Sequence, residues 1–175
     1  MSVAQPNNSA IRSLQPGETG PLLEVFAGLS ARSRLSRFHT PVPRLGPSMV
    51  THLTAHEKGW HEAFLASVDG RPVGIGRWIR YAAKPHRADV ALEVVDSHQR
   101  RGVGRTLLAA VAESAAEAGV AFLLFTVSRD NTPVRRSLAR AGAVVEPHEP
   151  EQLWIPTTVL LGHLTATGSC ALRAG

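Results

Sequence analysis

Two carboxylates and a glycine–arginine turn stand close together in this chain. Asp89 and Glu93 lie four residues apart in an apolar run, and Gln99-Arg100-Arg101-Gly102-Val103-Gly104-Arg105 follows shortly after. In a strand, alternate side chains share a face, so both carboxylates would project the same way. A carboxylate that is partly buried has a raised pKa and can accept a proton near neutral pH. Burying one without a role in an apolar strand is costly, so at least one of the pair is expected to do chemistry. The turn suits an anion. Backbone N–H groups at a helix N-terminus and the helix dipole favour negative charge there. Gly102 and Gly104 let a ligand approach the main chain, and Arg100, Arg101 and Arg105 add planar forks suited to phosphate oxygens.

These residues need a strand, a turn and a helix in that order. Val90–Val95 is nearly all apolar and predicts a central strand. Val103, Leu107, Leu108, Val111 and Ala115 recur on one face of a helix that Gly119 ends. The apolar run Val120–Val127 predicts a buried strand, set parallel to Val90–Val95 by a right-handed crossover. A further helix is expected, capped by Asp130 or Asn131, with Pro133 in its first turn and Gly142 past its end. Upstream, Ile11–Leu14 predicts a short strand, and Glu18–Ser30 a first helix on the spacing of Leu22, Leu23, Phe26 and Leu29. Arg32–Phe38 and Pro47–Leu53 predict shorter helices in a basic, proline-punctuated region. Ala63–Val68 and Pro72–Tyr81 form a hairpin about Asp69-Gly70. Ala82–Arg87 is expected as a basic loop, Ala143–Glu146 and Leu153–Leu161 as closing strands, and Thr165–Gly175 as a loose tail.

With 175 residues, 43% of them hydrophobic and 19% charged, the chain has the composition of one ordinary globular domain. The first ten residues lack the basic and apolar regions of a signal peptide, and no apolar run is long enough to span a bilayer. A single cysteine, Cys170, forms no intramolecular disulfide. A cytoplasmic protein without membrane contact is expected. The net charge of +5 is largely arginine, but no nucleic-acid motif accompanies it, so nucleic acid is not an expected partner. Position 107 is leucine, which defeats a dinucleotide fingerprint, and no Gly-Lys-Ser/Thr of a P-loop occurs. His56 and His61 are five apart rather than the four that would share a helical face, so no metal is expected.

Gln99-Arg100-Arg101-Gly102-Val103-Gly104 resembles the Gln/Arg-x-x-Gly-x-Gly/Ala acyl-CoA signature of the GNAT N-acetyltransferases, including its place between a strand and an amphipathic helix. Asn131 to Gly142 resembles the family's second signature, Asn-x-x-Ala-x-x-x-Tyr-x-x-x-Gly. Ser36-Arg37-Phe38, Leu53-Thr54, Asp69–Gly74 and Arg77 resemble a bacterial subgroup containing protein lysine acetyltransferases. The likeness covers roughly residues 10–145.

The resemblance implies an α/β (α+β) GNAT fold. Its sheet would be mixed, mostly antiparallel, with six to seven strands and about four flanking helices, and a splayed parallel pair would form the acyl-CoA cleft. One domain over 10–162 is expected, with 1–9 and 163–175 as flexible termini. Acetyl-CoA is the implied co-substrate. Its pantetheine would pair with Leu92, Glu93 and Val94, its pyrophosphate would lie on Arg100, Arg101, Gly102, Val103, Gly104 and Arg105, and Asn131 would approach the pantetheine arm. The Val94 N–H is the candidate to hold the thioester oxyanion. Asp89 matches the position where lysine-acetylating relatives carry glutamate, and Asp89 or Glu93 would serve as base toward an acceptor amine. Arg37, Phe38 and His39 would line the acceptor side. Two departures stand out: Leu138 where many members have a thiolate-protonating tyrosine, and Thr126 where some have a glutamate base.

The implied reaction is direct transfer of acetyl to a primary amine within a ternary complex. A protein lysine is favoured over a small amine or antibiotic as acceptor. A catalytically weak acyl-CoA sensor or interaction module is the alternative of a different class. Family members are often dimers, so a homodimer is compatible with the chain.

Overall fold

The structure is a computed structural model that describes residues 9–171. Seven strands form a single sheet in the order β1-β2-β3-β4-β5-β7-β6, and six α-helices flank it among the described residues. In chain order the elements are β1 (Ser9–Ser13), α1 (Thr19–Ala27), α2 (Ala31–Phe38), α3 (Pro47–Leu53), β2 (His61–Val68), β3 (Arg71–Tyr81) and β4 (Lys84–Val94). After a 3₁₀ turn at Asp96–His98 come α4 (Val103–Glu117), β5 (Phe122–Thr126), α5 (Thr132–Arg140), β6 (Val144–Glu146), β7 (Glu149–Pro156) and α6 (Thr157–Ala171). Every neighbouring pair is antiparallel except β4 and β5. The mixed, mostly antiparallel sheet with one parallel pair agrees with the expected fold class.

Local chemistry explains most boundaries. Asp69 and Gly70 both take positive φ, 51° and 77°, the backbone a two-residue hairpin turn requires. Ser30 caps α2 by accepting from the Ser33 N–H (3.2 Å). Asn131, not Asp130, caps α5, accepting from the Val134 N–H. Val111, Ala112 and Ala115 of α4 are buried against the sheet with Trp78, Val90 and Leu123, and Leu107 is buried in a second cluster with Val73 and Ile75. The Trp78 N–H stays satisfied inside that layer by donating to Ser114 Oγ (3.0 Å), which in turn donates to Glu62 (2.8 Å). Gly74 lets β3 lie close to its neighbours: a Cβ there would meet the Glu93 carbonyl oxygen at 2.9 Å.

Three expectations are corrected. The basic stretch before Arg87 is not a loop. β4 begins at Lys84, because Lys84 and Ala88 pair with Tyr81 and Arg80 across a tight turn, and Arg80 donates to the Pro85 carbonyl (2.5 Å). The last strand ends at Pro156, not Leu161. Thr157, nearly inaccessible, turns the chain by donating its N–H to the Ala121 carbonyl (2.9 Å) and its hydroxyl to the Val120 carbonyl (2.8 Å). The chain then continues as α6 as far as Ala171, where a loose tail from residue 163 is the sequence expectation. Leu160 and Leu164, about one helical turn apart, both enter the core. Six helices thus flank the sheet among the described residues. No described helix is long and apolar enough to cross a membrane.

Candidate active site

Pairing between β4 and β5 runs from Arg87↔Phe122 to Val90↔Phe125 and then stops, while β4 continues to Val94. The last four residues of β4 therefore have β3 on one side and no strand on the other. The Val95 N–H donates to the Val73 carbonyl (2.9 Å), toward β3. By alternation, Val94 and Leu92 turn their N–H groups to the open side. Gln99 reaches back from the turn and donates to the Val94 carbonyl (3.0 Å). The divergence leaves free backbone polar groups in a gap between parallel strands.

At the mouth of the gap, Gln99–Gly102 form the turn into α4, with Arg100 and Gly102 at φ 60° and 88° and Gly102 at the helix N-cap. Gly102 is the residue type that this backbone favours. Arg100 and Arg101 are exposed, whereas the Arg105 guanidinium donates to the Leu164 carbonyl of α6. Arg101, Gly102 and Val103 also line a pocket of ≈ 120 Å³ with His98, Thr106 and residues of β1 and β2. Asn131 sits at the start of α5.

Asp89, Ala91 and Glu93 alternate onto the face of β4 opposite α4, and register sets Ile79, Arg77 and Ile75 of β3 beside them. A cavity of ≈ 230 Å³ opens on this face, lined by Arg37 and Phe38 of α2, Met49, His52 and Leu53 of α3, and Arg77, Ile79, Asp89 and Ala91 of the sheet.

The two carboxylates have different surroundings. Glu93 is 6% exposed and gives each oxygen to an arginine: Oε1 accepts from Arg77 Nη2 at 2.9 Å, and Oε2 from Arg37 Nε. Burial would raise its pKa, but Arg37 and Arg77 outweigh that and hold it below the ordinary value. Arg77, 1% exposed, also donates to the Leu53 carbonyl (2.5 Å), tying β3 to the end of α3. Asp89 has no ion pair among the described residues, and burial raises its pKa to about 6, opposed in part by Arg37 and by His39 at the C-cap of α2. His61, buried near Arg77 with its ring tilted 42° to that of His52 at 5.8 Å, is pushed down to about 4 by burial first and then by the positive charge of Arg77.

The structure thus gathers Arg37, Phe38 and Asp89 at one cavity, with Glu93 joined to it through Arg37 and Arg77 and His39 outside its lining, and sets Leu92, Val94 and the Arg100–Gly104 turn along one gap. Arg77, His52, Met49 and Ile79 are the additions. Arginine in the middle of Gly74-Ile75-Gly76-Arg77-Trp78-Ile79 is the signal for the first, since a charge amid apolar strand residues needs a partner. Leu138 is 5% exposed and packed in the core, and Thr126 is exposed at the end of β5. Among the described residues no three His, Cys, Asp or Glu side chains are grouped to hold a metal ion.

The acetyltransferase (GNAT) family model matches residues 31–143. Among solved structures, the GNAT domain of S. lividans PAT is 26% identical with a TM-score of 0.78, over 85% of this chain and 90% of that one. A putative acetyltransferase from Salmonella typhimurium, solved with its cofactor acetyl-CoA, is 14% identical with a TM-score of 0.69, over 86% of this chain and 95% of that one. Diaminobutyrate acetyltransferase from Paenibacillus lautus, solved with its substrate and coenzyme A, is 22% identical with a TM-score of 0.64, over 86% and 95%. These structures share the fold, and with the family model matching more than half of its length the chain belongs to the GNAT acetyltransferase family.

Proposed function

We propose that this protein is an N-acetyltransferase that moves the acetyl group of acetyl-CoA to a primary amine, with a lysine side chain of a protein as the favoured acceptor. One observation carries this proposal: a cavity on the β4 face ends at Asp89, a carboxylate without a cationic partner among the described residues and with a pKa raised to about 6. At neutral pH such a group is mostly ionised yet basic enough to take a proton from an ammonium group, directly or through water.

Acetyl-CoA supplies a thioester, an activated acyl group with a good leaving group. The β4 edge at Leu92–Val94 would hold its pantetheine, and the turn Arg100–Gly104 its pyrophosphate, with Asn131 close to the arm. The Val94 N–H, turned to the open side of β4, is placed to donate to the oxyanion that develops as the amine nitrogen bonds to the acyl carbon. Asp89 takes the proton that the amine gives up, and the carbon–sulfur bond breaks. The thiolate is protonated by water, because the helix position that offers a tyrosine in many relatives is the buried Leu138 here.

Glu93 works differently. Both oxygens are occupied by Arg77 and Arg37, so it is a poor base. It fixes Arg37 on α2 against β4 and so shapes the acceptor cavity. Phe38, Met49, Leu53, Ile79 and Ala91 give that cavity an apolar wall suited to the methylene stem of a lysine. The test is acetylation of lysine peptides by purified protein with labelled acetyl-CoA. Transfer that is lost in Asp89→Asn supports the proposal, and binding of acetyl-CoA without transfer to any amine contradicts it.

A further inference from the structure

The face that carries Asp89 extends past the cavity. Two residues earlier on β4, Arg87 shares the face; Phe122 lies opposite it on β5, and Trp154 of β7 lies opposite Leu124. Tyr81 ends β3 beside them, 6.4 Å from the Trp154 ring. The Arg87 guanidinium carbon sits 4.8 Å from the Trp154 ring centre and 6.0 Å from that of Phe122. Phe122 and Tyr81 are exposed, so this ledge is open. Arg37 and Arg77 are both committed to Glu93. Arg87 makes no hydrogen bond or ion pair among the described residues, even with Asp89 on the same face. Its Nε and the Trp154 Nε1 are shielded from water, and neither has an acceptor. Two donors without acceptors beside an unmatched cation form an arrangement that an incoming carboxylate would complete.

We propose that Arg87, stacked on Trp154 and flanked by Tyr81 and Phe122, is an acceptor subsite that takes a carboxylate of the substrate while its amine reaches Asp89; this rests on the amine acetylation proposed above. Stacking on the indole holds the guanidinium plane and leaves its edge for a two-point contact with carboxylate oxygens. Residues two apart on a strand are separated by about 6.5–7 Å, so the carboxylate lies close to the amine it accompanies. An acidic side chain flanking a lysine in a peptide and the α-carboxylate of a free amino acid both offer this chemistry. A polyamine offers none and meets an unmatched positive charge.

The test measures kcat/KM for acetyl transfer by the full chain to two acceptor pairs. One pair is a lysine peptide flanked by glutamate and the same peptide flanked by glutamine. The other is Nα-acetyl-lysine and its amide. Wild type is expected to favour the carboxylate member of at least one pair by about tenfold or more, as a charge-assisted contact would give. The pair that shows the preference names the source of the carboxylate. Arg87→Gln should collapse the preference, Arg87→Lys keep part of it, and Trp154→Phe reduce it. If Arg87→Gln does not fold, Arg87→Lys and the wild-type ratios decide. Equal rates within both pairs, or a preference that survives in Arg87→Gln, would overturn this subsite alone. Failure of wild type to acetylate any of the four would overturn the acetylation function, and the subsite with it.

Discussion

Asp89 and Glu93 occupy the same face of one strand, four residues apart, yet only Glu93 is paired: Arg77 and Arg37 take its two oxygens, and Asp89 takes neither guanidinium. A buried carboxylate that is charged and matched stabilises structure, while one that is unmatched keeps its proton chemistry. The pairing therefore assigns opposite roles to two residues that look alike in the sequence.

Removing the unmatched carboxylate should separate activity from stability. In Asp89→Asn, kcat/KM for acetyl transfer should fall by about 10²–10⁴-fold, the usual contribution of a positioned base. The fold should gain stability at pH 8. The folded-state pKa of Asp89, about 6, lies above its unfolded value near 3.8, so the folded state holds the proton more tightly. Stability from this group is complete at low pH and is lost as pH rises from about 4 through 6, on the order of 2–3 kcal/mol. Thermal melts of both forms at pH 5 and pH 8 should show the variant gaining only at the higher pH.

Breaking the matched pair should do the reverse. Glu93→Ala leaves Arg77 buried with an uncompensated charge and should destabilise the protein by about 3–5 kcal/mol in denaturant titration. Arg77→Met with Glu93→Leu should cost less than the sum of the two single changes, since they share one interaction. Additive losses would show that the ion pair is not coupled.

Leu138→Tyr, which restores a side chain common at this helix position, should not raise kcat. Leu138 is packed among Val127, Ala141 and Leu153, so the extra ring overfills the core, with an expected loss of about 1–3 kcal/mol. A rise in kcat at constant stability would show that thiolate protonation by water limits the reaction.

The turn should matter to the co-substrate alone. Replacing the exposed Arg100 and Arg101 together by alanine should raise the KM for acetyl-CoA by about tenfold at low salt, and by less as salt screens the phosphates. The pH dependence set by Asp89 should be unchanged. Gly102→Ala should weaken acetyl-CoA too, because φ of 88° strains any residue with a Cβ.

Most of the gap and its turn were legible in the sequence, because the glycines, the arginines and the apolar run Val90–Val95 are local signals. The hairpin at Asp69-Gly70 and the cap at Asn131 are local too. What escaped depends on partners distant in the chain. Val-Leu-Leu-Gly-His-Leu after Pro156 fits a strand or a helix equally well, and the contacts of Thr157 with Val120 and Ala121 decide for a helix. Lys84–Arg87 looks like a loop because its residues are polar, yet β3 supplies the ladder that makes it a strand. The division of labour between Asp89 and Glu93 is set by Arg37 on α2 and Arg77 on β3, whose convergence only the folded register defines. Arg105 shows the same limit: its spacing suits phosphate, but α6 folds back to offer it the Leu164 carbonyl.

The pH dependence of kcat/KM for acetyl transfer to a lysine peptide, compared across wild type, Glu93→Gln and Asp89→Asn, tests the central claim most directly. A base with a pKa of about 6 is active when deprotonated, so wild type should lose activity as pH falls through 6. Glu93→Gln should keep that acidic limb whatever its rate, and Asp89→Asn should lack it. An acidic limb near pH 6 that persists in Asp89→Asn would contradict the account.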